Sequence, residues 1–213
     1  MKRPVDNALI ASTLANALGE PLTEARVQQF ARYADELARF GSKLNLTAIH
    51  QAEQVLDKHF ADSLRLSRSV PPGTLIDIGA GAGFPGLPLA LVRADLDVTL
   101  VDSSKKKIGF LKALLVALDV HNARAVHSRL GAKPNLGLFD TAVARAVADL
   151  PDWLSLAKHH VRPGGLILAM FGRAPESAEI QRATADAGVR FVSASTYALP
   201  LSGDPRFLAT FRI

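Results

Sequence analysis

The chain has 213 residues, 48% of them hydrophobic and 21% charged, with a formal net charge of +5. That balance describes one folded core with room for an appendage, excludes a disordered chain, and leans towards a polyanionic partner. Cysteine is absent, so disulfides and thiolate–metal sites are excluded and a reducing cytoplasm fits. No apolar run is long enough to span a bilayer, and Met1-Lys2-Arg3 leading into Pro4 does not read as a signal peptide. The six histidines show no zinc spacing, and no metal is assigned.

Taken in chain order, residues 1–70 read as a helical extension. Leu9, Ile10, Thr13, Leu14, Ala17 and Leu18 recur at helical spacing until Gly19 and Pro21 stop them. Val27, Phe30, Ala31, Ala34 and Leu37 define a longer helix from Thr23 to Gly41, and Val55, Leu56, Phe60 and Leu64 a third from about Glu53 to Arg68. After Pro71-Pro72-Gly73 the pattern changes. Strands are expected at Leu75–Ile78, Val98–Val101, Ala123–His127, Thr141–Arg145 (the apolar run continues to Val147), Gly165–Phe171, Arg190–Ala198 and Phe207–Ile213. Helices are expected to start near Ser104, Asp149 and Pro175. The last two strands leave no room for a helix between them, so the final one should enter antiparallel. Residues 71–213 thus form an α/β unit, a doubly wound seven-stranded sheet, that packs with the extension as one compact body.

The most informative stretch is Asp77-Ile78-Gly79-Ala80-Gly81-Ala82-Gly83-Phe84-Pro85-Gly86. Three glycines let a ligand lie on the main chain, and Asp102, ending the next strand, is placed to accept ribose hydroxyls. The chain therefore holds a nucleoside. A dinucleotide fingerprint can be laid on Gly81-x-Gly83-x-x-Gly86, but Pro85 and Pro88 remove amide donors that a pyrophosphate would use. The spacing Asp77-x-Gly79-x-Gly81-x-Gly83 instead resembles the S-adenosylmethionine loop of class I methyltransferases. Without cysteine, a thiolate-dependent pyrimidine C5 transfer is excluded. The Asn/Asp-Pro-Pro-aromatic box usual in exocyclic-amine methyltransferases is missing after the fourth strand. An acceptor with a free lone pair, such as guanine N7, fits what remains.

Asn45-Leu46-Thr47, His59-Phe60-Ala61-Asp62-Ser63, Phe84-Pro85-Gly86, Asp102-Ser103, Lys106-Lys107, His127-Ser128-Arg129 and Ala144-Arg145-Ala146 together resemble the RsmG (glucose-inhibited division protein B, GidB) family. These are bacterial 16S ribosomal RNA (guanine-N7) methyltransferases, and the likeness covers nearly the whole chain. It implies methyl transfer from S-adenosylmethionine to N7 of guanosine 527, in the 530 loop of 16S RNA, as naked RNA or in the small subunit; separately, a cytoplasmic monomer is expected. It implies that Gly79 and Phe84 line the methionine end, that Asp102 holds the ribose and Leu130 and Gly131 offer backbone to the adenine, with Arg145 beside the cofactor and Asp77, Gly81 and Gly83 also in the cofactor-binding set. Asn45, His59 and Arg145 would act at the target base; Lys106, Lys107, Arg129, Arg173 and Arg206 would meet RNA. Two departures stand out. An acid usually follows Ser-Arg, where this chain has Leu130-Gly131-Ala132-Lys133. Lys-Gly usually follows the fifth strand, where Phe171-Gly172-Arg173 occurs and Arg173 is the candidate replacement cation.

Plainer readings stay open at several positions. Asp102 could cap a helix, Asn45 shape a turn, His59 be a core histidine, Trp153 be core, and Lys105-Lys106-Lys107 be a solvated face. A cofactor-responsive RNA binder without turnover, and an oxidoreductase, are the alternative functions. Guanine N7 lies in the deep, narrow major groove of A-form RNA, so the target must lie in a loop or be exposed by the protein. Asn45, Lys58, Arg65 and Arg68 of the helical part are expected to supply RNA surface.

Overall fold

A computed structural model describes residues 6–133, 135–145 and 149–213. Asp6 accepts the Ala8 N–H at 3.1 Å and opens α1 (Asn7–Leu18), which ends at Gly19 with φ 85°. Thr23 caps α2 (Glu24–Phe40), stopped at Gly41. The third predicted helix needs correction. It consists of α3 (Ala52–Val55), a π-helical turn (Leu56–Ala61) and α4 (Asp62–Leu64), and the chain leaves it before Arg68. A π turn adds a residue to the helical repeat and re-aims the side chains on it, a device frequent at functional sites.

The sheet comprises β1 (Gly73–Ile78), β2 (Leu96–Asp102), β3 (Ala123–His127), β4 (Phe139–Arg145), β5 (Val161–Phe171), β6 (Arg190–Ala198) and β7 (Pro205–Arg212). Their order is β3-β2-β1-β4-β5-β7-β6, with β7 antiparallel to both neighbours. Ala146 and Val147, expected to prolong the fourth strand, lie outside the described residues. Helices α6 (Lys105–Ala117), α7 (Leu150–Ala157) and α8 (Ser177–Ala187) start within two residues of expectation, because Ser104 and Asp149 cap the first two. One helix, α5 (Gly86–Val92), was not anticipated. Seven residues with prolines around the first turn show too little periodicity to be read, although proline suits that place.

Alternate residues of the central strands serve two cores. Leu75, Val98, Leu100, Val143 and Leu168 pack with Ile10, Leu14, Phe30, Tyr33, Phe60 and Leu111, so the amino-terminal helices share one apolar cluster with the sheet. Ile76, Val101, Ala142 and Ile167 pack against Leu150, Leu154 and Ala183 on the other face. Burial on both faces is why these strands are apolar almost throughout. The crossovers reverse direction between β1 and β4, and open α/β sheets bind ligands at the carboxyl edge of that switch point. Ile78, Asp102, Arg145 and Phe171 all end strands on this edge.

Candidate active site

Two buried carboxylates hold the glycine loop. Asp77 Oδ2 accepts the Gly86 N–H at 2.7 Å. Asp102 accepts the Gly81 N–H at 3.0 Å through Oδ2 and the Ser104 N–H at 2.8 Å through Oδ1. Asp102 thus braces the loop and the start of α6 at once. Burial pushes the Asp77 carboxyl up to about 7, opposed by the Gly86 N–H and Arg145 and assisted by Asp102. Its Oδ1 has no hydrogen-bond partner among the described residues. Asp77 is fully buried beneath the loop.

The three loop glycines divide the work. All have positive φ: 78° at Gly79, 58° at Gly81 and 106° at Gly83. A Cβ on Gly83 would stand 2.6 Å from the Tyr33 hydroxyl, which itself donates to the Ala82 carbonyl at 2.6 Å. Gly83 therefore lets α2 lock the loop from behind. Among the described residues, a Cβ on Gly79 would meet nothing within 4 Å. Gly79 borders a cavity of about 220 Å³ that Asp102, Ser128, Arg129 and Leu130 also line. Gly131 is not part of that lining; its carbonyl accepts from His160 Nε2 at 3.0 Å, which anchors the segment carrying Leu130.

A second cavity, of about 320 Å³, opens beside the ends of β4, β5 and β7, lined by Lys58, His59, Asp62, Arg145, Phe171 and Arg206, with Ile49, Met170 and Gly172. Arg145 organises it. Its Nη1 donates to the Lys58 carbonyl and to His59 Nδ1, both at 2.7 Å, and its guanidinium lies 4.9 Å from the Phe84 ring centre. Arginine can only donate, so His59 Nδ1 accepts and its proton sits on Nε2, which donates to Thr47 Oγ1 at 2.8 Å. Burial, then the Arg145 charge, lowers His59 to about 3 against the pull of the Lys58 carbonyl. His59 is a neutral imidazole at physiological pH. It stacks on Phe84 with ring centres 4.6 Å apart, and Tyr33 stacks on Phe84 at 5.3 Å. Phe84 is buried in this cluster, where it carries His59 and Arg145.

Asp62 is the residue the sequence reading left unassigned. It is buried, accepts the Tyr197 hydroxyl at 2.8 Å through Oδ1, and its Oδ2 lies 4.0 Å from Arg145 and 3.8 Å from Arg206. Burial raises its carboxyl, opposed by Tyr197, Arg145 and Arg206, while Asp57 adds to the rise. The available signal is its place in the His59-Phe60-Ala61-Asp62-Ser63 motif, three residues from His59. Its neighbour Asp57 accepts the Leu201 and Ser202 N–H groups, each at 3.0 Å, tying the π turn to the β6–β7 loop.

Other expected positions fall elsewhere. Asn45 is exposed at φ 51° in a turn and lines neither cavity, so its left-handed backbone accounts for it. Arg173 pairs with Glu179 at 3.7 Å and is not part of the cavity lining, whereas Arg206 is. Lys106 is exposed on the first turn of α6, and Lys107 Nζ lies 3.8 Å from Asp102. Lys58 pairs with Asp204 at 2.8 Å. Arg65 donates to Asn16 Oδ1 at 3.0 Å, and Arg68 borders a groove with Asp140 and Gly164 at the opposite edge of the sheet. The expectation of an RNA surface over Arg68 is not supported by this placement. Trp153 packs against the second core.

A glycine loop with open space over Gly79, a carboxylate at the end of β2 and a cavity beside them fit S-adenosylmethionine. With the strand order, they define a class I S-adenosylmethionine-dependent methyltransferase. Solved structures share that fold. An Aquifex aeolicus SAM-dependent methyltransferase aligns with TM-score 0.58 and 17% identity, over 81% of this chain and 98% of that one. Coclaurine N-methyltransferase aligns with TM-score 0.60 and 11% identity, over 97% and 94%. The chain belongs to the GidB family, rRNA small subunit methyltransferase G, whose profile matches residues 26–203. It is 42% identical to Ribosomal RNA small subunit methyltransferase G of Myxococcus xanthus, over 97% of this chain and 99% of that protein. With the protein of the same name from Geotalea uraniireducens it shares 40% identity over 92% of each. It is an rRNA methyltransferase, with S-adenosylmethionine as methyl donor. Among the described residues no helix is long and apolar enough to cross a membrane.

Proposed function

We propose that the protein methylates guanine N7 in the 530 loop of 16S RNA, with the donor in the cavity beside Gly79 and Asp102 and the target base in the cavity beside Arg145. The observation that carries this reading is the adjacency of the two cavities: β1 and β4 are paired neighbours, so both open on one edge. The donor supplies an electrophilic methyl group on a sulfonium. The N7 lone pair forms the new C–N bond as the C–S bond breaks, and sulfur keeps that bonding pair. The positive charge passes to the purine and no proton leaves N7. No general base is needed, which agrees with a histidine held neutral and committed to Arg145 and Thr47. The protein's contribution is alignment of nitrogen, carbon and sulfur in a line. A ribosomal RNA substrate supports a cytoplasmic location.

The test is transfer of labelled methyl to small subunits lacking this modification, with the product mapped by cleavage at N7-methylguanine. One labelled guanine in the 530 loop is expected. Label elsewhere, or bound donor with no transfer, would overturn the reading.

A further inference from the structure

Both purines carry an N7 lone pair, so the reaction itself does not select guanine; the pocket must. We infer that Asp62 is the specificity-determining residue, accepting hydrogen bonds from N1–H and the 2-amino group of the target guanine. This rests on the placement of the base proposed above.

Among the residues lining that cavity, Asp62 supplies the one carboxylate; the other charged or ionisable side chains are Lys58, His59, Arg145 and Arg206. The Watson–Crick edge of guanine presents two adjacent donors, which a carboxylate matches with its two oxygens. Asp62 has the capacity. Its Oδ1 spends one lone pair on Tyr197, and among the described residues its Oδ2 has only the two arginines, at 4.0 and 3.8 Å, beyond hydrogen-bonding distance. Orientation follows from the strand order. N7 must face the donor, on the β1 side, so the opposite edge of the ring points towards β7, where Asp62 sits against Arg206.

Arg145 commits Nη1 to Lys58 and His59, and its other nitrogens remain to donate to O6, next to N7. Adenine would fail twice. Its N1 lone pair would face the carboxylate, and its 6-amino donors would face the guanidinium. Tyr197 fixes the carboxylate plane from β6 and holds Asp62 for this contact.

The experiment compares guanosine, inosine and adenosine at the target position in reconstituted small subunits, using the wild type and Asp62→Asn, with S-adenosylhomocysteine affinity as the check on folding. Inosine lacks only the 2-amino group. Wild-type kcat/KM should fall about tenfold or more from guanosine to inosine, because a buried acceptor loses its partner. Asp62→Asn, which keeps an oxygen for Tyr197, should show guanosine and inosine within about twofold of each other. Equal wild-type rates on guanosine and inosine would overturn the proposal whatever the variant does. A variant slower on both bases, with the wild-type preference intact, would reduce Asp62 to a support for the arginines and overturn it too. No wild-type transfer to guanosine would remove the parent reading, and this one with it.

Discussion

Two glycines of one loop should fail in different ways when each gains a methyl group. At Gly83, alanine must adopt a φ of 106°, and its Cβ would lie 2.6 Å from the Tyr33 hydroxyl, 3.1 Å from Leu111 Cδ2 and 3.2 Å from Leu87 Cβ. Backbone strain of this kind costs about 1–3 kcal/mol, and overpacking a tight core about as much again. The sum is about 4 kcal/mol, and in a chain of this size each kcal/mol lowers the melting temperature by roughly 2–4 °C. Gly83→Ala should therefore melt on the order of 10 °C below the wild type. Gly79→Ala meets open space and carries only the cost of a left-handed alanine at φ 78°, about 1–2 kcal/mol. Its methyl instead enters the volume given to the donor, so S-adenosylhomocysteine should bind at least about tenfold more weakly. Differential scanning calorimetry and isothermal titration of both variants make the comparison. Equal melting temperatures for the two variants, or full affinity in Gly79→Ala, would refute the division of labour between these glycines.

Other perturbations test the electrostatics. Asp77 has a folded-state pKa of about 7 against 3.8 for the free side chain, so the folded state binds the extra proton. Its contribution is fully present below 3.8 and lost as pH rises through 7, by about 4 kcal/mol at full ionisation. Asp77→Asn keeps an acceptor for the Gly86 N–H, so its stability in urea should not decline between pH 5.5 and 8.5 as the wild type's does; parallel profiles would count against a buried, titrating Asp77. Arg145→Lys retains the charge but not the fork that reaches Lys58 and His59. Turnover should fall by about tenfold or more with S-adenosylhomocysteine affinity unchanged, read from single-turnover transfer and titration. Lys105 and Lys106 are exposed on the first turn of α6, just after the strand that ends in Asp102, and Arg129 is exposed and lines the donor cavity. Replacing all three by Ala should weaken RNA binding and flatten its salt dependence by about 0.7 in slope per lost phosphate contact, whereas Arg68→Ala should leave both unchanged.

Much of the fold was legible because its signals are local. Apolar runs between turn residues marked the central strands, and Thr23, Ser104 and Asp149 marked helix starts by capping chemistry that needs no distant partner. The seven-residue α5 escaped because it is too short to display a period. The π turn escaped because nothing local announces it; Asp57 finds the Leu201 and Ser202 amides about 145 residues away only after β6 and β7 have paired.

The site divides along the same line. From the sequence alone came the glycine loop, Asp102, Arg145 and His59, since each sits in a short motif or at a strand end where ligand chemistry is expected. The tertiary structure decided what each one does. It turned Asp77 inward to hold Gly86, gave Gly83 to Tyr33 and Gly79 to open space, and left Asn45 in a turn. It also joined Asp62 to Tyr197, Arg145 and Arg206, residues far apart in the chain. Residue types and spacing report which chemical groups a segment offers. Which of them face one another depends on packing between segments, and burial then sets their charge, as it does for the neutral His59 and the raised Asp77.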